Sequence, residues 1–105
     1  MVYTTRHDQQ PDHAMPKIII GLCTVEFELP GALSLKDKRS VLKSLLTRLH
    51  HQFNVSTAEV DLHDVVNASV IAFTAVTTDT RHANQVISTI LNWIEKNYPD
   101  ALIVN

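Results

Sequence analysis

Between Cys23 and Leu29 the chain alternates apolar and polar residues one for one, and from Leu35 it changes to a spacing of three and four. Cys23, Val25, Phe27 and Leu29 line one face of a strand, with Thr24, Glu26 and Glu28 on the other. Leu35, Leu42, Leu45, Leu46, Leu49 and Phe53 form one stripe of a helix. The switch then recurs. Asn54 to about Leu62 alternates again, His63 to Asn67 reads as a turn, and Ser69 to Thr77 is rich in the β-branched and small residues of strands. Ala83, Val86, Ile87, Ile90, Leu91, Ile94 and Tyr98 return to helical spacing, and Ala101 to Val104 reads as a short last strand. The punctuation agrees. Pro30-Gly31 ends the first strand, Ser34 with Asp37 forms a short-armed capping box, Asp79 caps the second helix and Pro99 stops it.

The order over residues 17–105 is therefore β-α-β-β-α-β, two split βαβ units without an internal sequence repeat. It predicts an α+β, ferredoxin-like domain: a four-stranded antiparallel sheet with both helices on one face. Right-handed crossovers lead to the expectation that strands one and three are parallel neighbours. Both helices then start at the same end of the sheet. Ile18, Ile19, Ile20 and Leu22 make the early half of the first strand apolar on both faces, as for a central strand. Residues 1–16 are polar, contain two prolines and lack periodicity, which predicts a disordered leader, with Met15 as an alternative start.

One cysteine, Cys23, sits inside an apolar run, which excludes disulfide frameworks and cysteine-rich zinc sites. A signal peptide and a membrane-length apolar run are both missing from the sequence, so the expected compartment is the cytoplasm. Charge is unevenly sorted. From Ser34 to Phe53, Lys36, Lys38, Arg39, Lys43 and Arg48 face Asp37 alone, a net +4 in a chain of formal charge −2, which leaves −6 elsewhere. Such sorting steers anionic partners.

Lys36, Lys38, Arg39 and Lys43 open the first helix, whose N-terminus already carries about half a positive charge. Cations there work against stability, so an anion is their natural complement. Lys36, Arg39 and Lys43 share a stripe about 100° from the apolar one. Lys38 projects from the apolar arc, its ammonium predicted to reach toward the helix start. With both helices starting together, Lys38 would line a shared anion cleft with Arg81 and His82. The strands lack an aromatic pair of the kind that stacks RNA bases on a sheet, so phosphate or structured-RNA contact is favoured over sequence readout of RNA or DNA.

Other chemistries fit less well. The loop PGALSLKDKR has a single glycine, and no nucleophile–base pair is evident, so phosphate-ester or acyl-phosphate hydrolysis is the weakest reading. Ser34 is explained as a cap and Cys23 as core. Glu59, Asp61 and His63 alternate on one strand with Glu26 and Glu28 as neighbours, a pattern that a polar sheet face produces as readily as a metal site. Neither a metal nor a cofactor is expected. His7, His13, His50 and His51 read as solvent-exposed, and Trp93 as core. Ile18, Ile20 and Leu22, on the face away from the helices, read as a homodimer interface.

The stretches SLKDKR and VLK (Ser34 to Lys43), FNVS (Phe53 to Ser56), AEVD (Ala58 to Asp61) and DTRHA (Asp79 to Ala83) follow one another at spacings that resemble the YlxP-like family of small bacterial proteins of undefined function. The resemblance covers Leu29 to Ile94 and implies a ferredoxin-like fold. Members are often encoded beside translation and ribosome-maturation genes. Two departures stand out: Val66 where the family usually has a bulky aromatic, and a last strand cut short at Asn105. The expected function is a non-enzymatic cytoplasmic binding protein, associated with ribosomal or other structured RNA through Lys36, Arg39 and Lys43. The alternative is a homodimeric protein-interaction module.

Overall fold

A computed structural model describes the backbone of residues 2–7 and all of residues 16–105. The elements are β1 (Val2–His7), β2 (Ile18–Glu28), α1 (Leu35–Phe53), β3 (Ser56–Asp61), β4 (Ala68–Thr77), α2 (Thr80–Asn97) and β5 (Leu102–Ile103). From β2 to β5 this is the βαββαβ order of a ferredoxin-like α+β fold, and the sheet runs β1-β2-β4-β3 with β5 also on β2.

Every strand pair is antiparallel, including β2 with β4, the first and third strands of the βαββαβ unit. The expectation of parallel neighbours is thus corrected. The α1 crossover returns the chain to β3, at the far edge, so β2 and β3 are the parallel members of that unit. The tight turn after β3 then folds β4 into the gap, opposed to both. The helix starts move apart for the same reason. α1 follows the Glu28 end of β2, whereas α2 follows Thr77, which pairs with Ile19 near the other end. Those ends lie about 30 Å apart at the rise of a strand.

The N-terminal segment also differs from expectation. Val2–His7, read as part of a disordered leader, forms β1 and pairs with Ile18–Cys23. Val, Tyr and Thr favour strands, but on an edge strand they need no apolar alternation, so periodicity missed them. Met15 and His13 lie outside the described residues, as does the side chain of His7. β5 is only two residues long, extended by hydrogen bonds between Glu26 and the backbone of Val104 and Asn105. It occupies the part of the β2 edge that β1 leaves open.

The core fills the space between the sheet and the two helices. Ile19, Cys23, Val25 and Phe27 from β2 and Ile71 and Phe73 from β4 meet Leu42, Leu45 and Leu49 of α1 and Ile87, Ile90 and Ile94 of α2. Burial raises the thiol pKa of Cys23, in keeping with a core role. Among the described residues, no helix is long and apolar enough to cross a membrane.

α2 approaches the sheet most closely over Gly21. A Cβ there would lie 3.2 Å from the Ala83 Cβ and 3.4 Å from the Ile87 Cδ1. Gly21→Val should therefore overpack the helix–sheet junction and cost about 1–3 kcal/mol. The urea midpoint should fall with an unchanged slope. Gly31→Val, where a Cβ meets nothing within 4 Å, is the matched control.

Candidate functional site

α1 starts where it does because Ser34 is extended (φ −152°, ψ 163°) and its hydroxyl accepts from the Asp37 amide at 3.1 Å. Asp37 reaches back to the Leu33 amide at 3.1 Å, so the predicted box closes one residue early. This cap fixes the rotation of the first turns. Lys36, Arg39 and Lys43 then face solvent on one ridge of α1. Neighbours three and four apart on a helix have Cβ atoms about 5–6 Å from each other. The three form a ladder of cations, none of which has an acidic partner among the described residues. His50 continues the ridge near the end of α1, its Nδ1 2.9 Å from the Val55 carbonyl oxygen.

Lys38 belongs elsewhere. It is 1% exposed, and its ammonium turns to the β3–β4 connection rather than to the helix start. Nζ donates to the carbonyl oxygens of Leu62 at 2.5 Å and Val65 at 2.7 Å, with that of His63 at 3.3 Å. It also pairs with Glu59 Oε2 at 2.9 Å, and the same oxygen accepts from the Ser69 hydroxyl at 2.6 Å. An ammonium surrounded by four oxygens has no donor left for a ligand. Lys38 is an internal anchor and leaves the anion-binding set. It holds Leu62 in the left-handed region (φ 59°), a conformation bulky residues avoid.

The bulge between Glu59 and Asp61 explains why the acidic strand does not gather a metal set. Glu59 turns under α1 to Lys38, while Asp61 and His63 are exposed. Glu26 and Glu28 are exposed on the open face of the sheet.

Arg81 and His82 lie exposed in the first turn of α2, where the Asp79 carboxylate caps the Arg81 amide at 2.9 Å. That turn is at the opposite end of the sheet from Lys36 and Arg39. The single cleft drawn from both helix starts is therefore not formed. On the open face, Ile18 is 38% exposed and Ile20 and Leu22 are half-buried; Ile20 pairs with Val76, which is 74% exposed.

Two features escaped sequence reasoning. One is a cavity of about 460 Å³ between α1 and the α2–β5 connection, with Leu29, Val41 and Ala101 among its apolar residues and Ser40, Tyr98 and Asp100 among its polar ones. The other adjoins it. The Arg48 guanidinium lies 4.7 Å from the Trp93 ring centroid and 5.4 Å from that of Tyr98, and donates to the Tyr98 hydroxyl at 3.2 Å. Ser44 and Tyr98 share a hydrogen bond of 2.7 Å, and Phe53 meets Trp93 edge-on at 5.6 Å. Trp93 itself is half-buried against the core. The available signal was Ser40, Ser44 and Arg48 at intervals of four, a polar ridge turned toward the second helix.

Two comparisons bear on descent. The Bacillus subtilis (strain 168) protein described as "Uncharacterized protein YlxP" is 32% identical over 82 residues, which cover 78% of this chain and 88% of the relative. Residues 20–105 match the family described as "Protein of unknown function (DUF503)". With nearly all of the βαββαβ unit inside that match, the chain belongs to the DUF503 family.

Proposed function

We propose that this protein is an RNA-binding, ribosome-associated protein that docks through the ladder of Lys36, Arg39 and Lys43 on α1. The observation that carries the reading is three exposed cations on one ridge, without acidic partners among the described residues, in the half of a helix where positive charge is least welcome. Such a ladder matches a row of phosphates. It contacts them as independent charges and carries no sequence code of its own. Arg81 and His82 at the far end of the sheet are not needed for this contact.

Sedimentation with ribosomal subunits on a gradient tests it, with and without nuclease. The protein should travel with a subunit and return to the top when the RNA is digested. Salt gives the number of contacts. Three phosphates correspond to a slope of log K against log salt of roughly −2.1 to −2.7, or about a 20- to 40-fold loss of affinity between 50 and 200 mM. Comigration that survives nuclease, or binding that ignores salt, would overturn the reading.

A second reading rests on the open face of the sheet. Val76 at 74% and Ile18 at 38% exposure, beside Ile20 and Leu22, give an apolar surface suited to a second copy of the chain. Dimerisation through it would be insensitive to nuclease and to charge reversal on α1. Sedimentation equilibrium of the native protein and of Val76→Lys separates the two readings.

A further inference from the structure

We infer that the cavity between α1 and the α2–β5 connection receives an unpaired guanine base of the bound RNA, with Asp100 as the residue that reads it. This deepens the RNA reading and depends on it. The cavity lies one ridge over from the cation ladder: Asp37 and Ser40, in its wall, alternate along the chain with Lys36 and Arg39. Phosphates meeting the ladder would bring a neighbouring base to its mouth. At about 460 Å³ the space is in the range of small-ligand sites, with an apolar side for a ring face.

The polar lining decides which part of a nucleotide enters. The Asp100 carboxylate takes no hydrogen-bond or ion-pair partner among the described residues. Asp37 has one oxygen committed to the Leu33 amide and the other without a partner among the described residues. The Asn97 amide nitrogen is used by the Trp93 carbonyl oxygen at 2.9 Å, which leaves its own oxygen as an acceptor. The wall is therefore rich in acceptors and in negative charge. It repels phosphate and favours a neutral group that presents hydrogen-bond donors.

Among the bases, guanine presents two adjacent donors on its Watson–Crick edge, the ring N1–H and the exocyclic amino group. They match the two oxygens of one carboxylate. Adenine and cytosine set a ring acceptor beside their amino group, and uracil flanks its single N–H with carbonyls, so each would oppose a lone pair to Asp100. Beside the cavity, the Arg48 plane over Trp93 is a surface on which the next base can stack, as single-stranded RNA is commonly held.

Trp93 is the sole tryptophan, and its ring centroid lies 5.8 Å from that of Tyr98 in the cavity wall, so its fluorescence reports occupancy. The native protein should be titrated with the oligoribonucleotides UUGUU, UUAUU and UUUUU at one salt concentration. UUGUU should bind about 10-fold or more tightly than the others, the usual worth of a bidentate base contact. Asp100→Asn should abolish the guanine preference, bringing UUGUU and UUAUU to one level, and leave the melting temperature unchanged. Equal binding of the three oligonucleotides overturns the inference, as does a guanine preference that survives Asp100→Asn or an absence of binding to any. The RNA reading is judged separately, by nuclease-sensitive sedimentation, and stands if that succeeds while guanine preference fails.

Discussion

Lys38→Met should lower the free energy of unfolding by about 3 kcal/mol, measured by urea denaturation, although methionine nearly reproduces the lysine stem. Removing one partner of a fully buried ion pair costs about 3–5 kcal/mol. Glu59 keeps 17% exposure, so water relieves part of the loss and the lower value applies. The substitution leaves the Glu59 carboxylate with only the Ser69 hydroxyl among the described residues and strips the ammonium from the carbonyl oxygens of Leu62, His63 and Val65. Leu62 then keeps only local bonds at positive φ, its amide to Asp61 Oδ1 at 2.8 Å and its carbonyl oxygen to the Val65 amide at 3.1 Å, so amide exchange should quicken across residues 62–67 before it does in α1 or β2. Adding Glu59→Gln to Lys38→Met should recover part of the stability, because the uncompensated charge is gone while the orphaned carbonyls remain. A single-variant cost under about 1 kcal/mol would mean that water replaces the ammonium without penalty.

Reversing the ladder, as Lys36→Glu, Arg39→Glu and Lys43→Glu together, should weaken binding to ribosomal RNA by at least about 100-fold near 0.1 M salt. Each lost phosphate contact forfeits roughly a 5- to 8-fold counterion-release factor there, and repulsion adds to it. Stability should barely move. Three glutamates at the same spacing repel one another as the three cations did, while a glutamate at position 36 suits the helix dipole. A variant that folds as well and binds far worse separates a binding surface from a structural one. If binding is retained, the ladder is only solvated charge.

Much of the scaffold was legible because its signals are local. Ser34 and Asp79 cap the helices they were expected to cap, and the alternation from Cys23 to Phe27 became the buried side of β2. Strand direction was harder. It depends on which strand the α1 crossover reaches, and pattern alone does not distinguish β3 from β4. β1 was missed because an edge strand needs no apolar rhythm. At the site, the exposure of Lys36, Arg39 and Lys43 follows from their offset from the apolar stripe. The fate of Lys38 did not follow. Its place on the apolar arc was visible, but its partners include three backbone carbonyls, and a carbonyl has no residue signature. The inward side of β3, which Glu59 shares with Thr57, and the cavity beside Tyr98 likewise arise from tertiary placement.

One edge of β2 is shared by pieces from both ends of the described chain. Asn105 bonds to Glu26 and Val2 pairs with Cys23, with β5 and β1 running in the same direction. Only the positions opposite Val25 and Thr24 separate the two pieces, so together they form one interrupted strand. Two or three residues would span the interval at strand rise. A linker of that length from Asn105 to Val2 would make the backbone of the described elements circular with its register preserved. The unfolded ensemble would lose entropy, and new ends opened at the β3–β4 turn would leave the order of the strands in space unchanged.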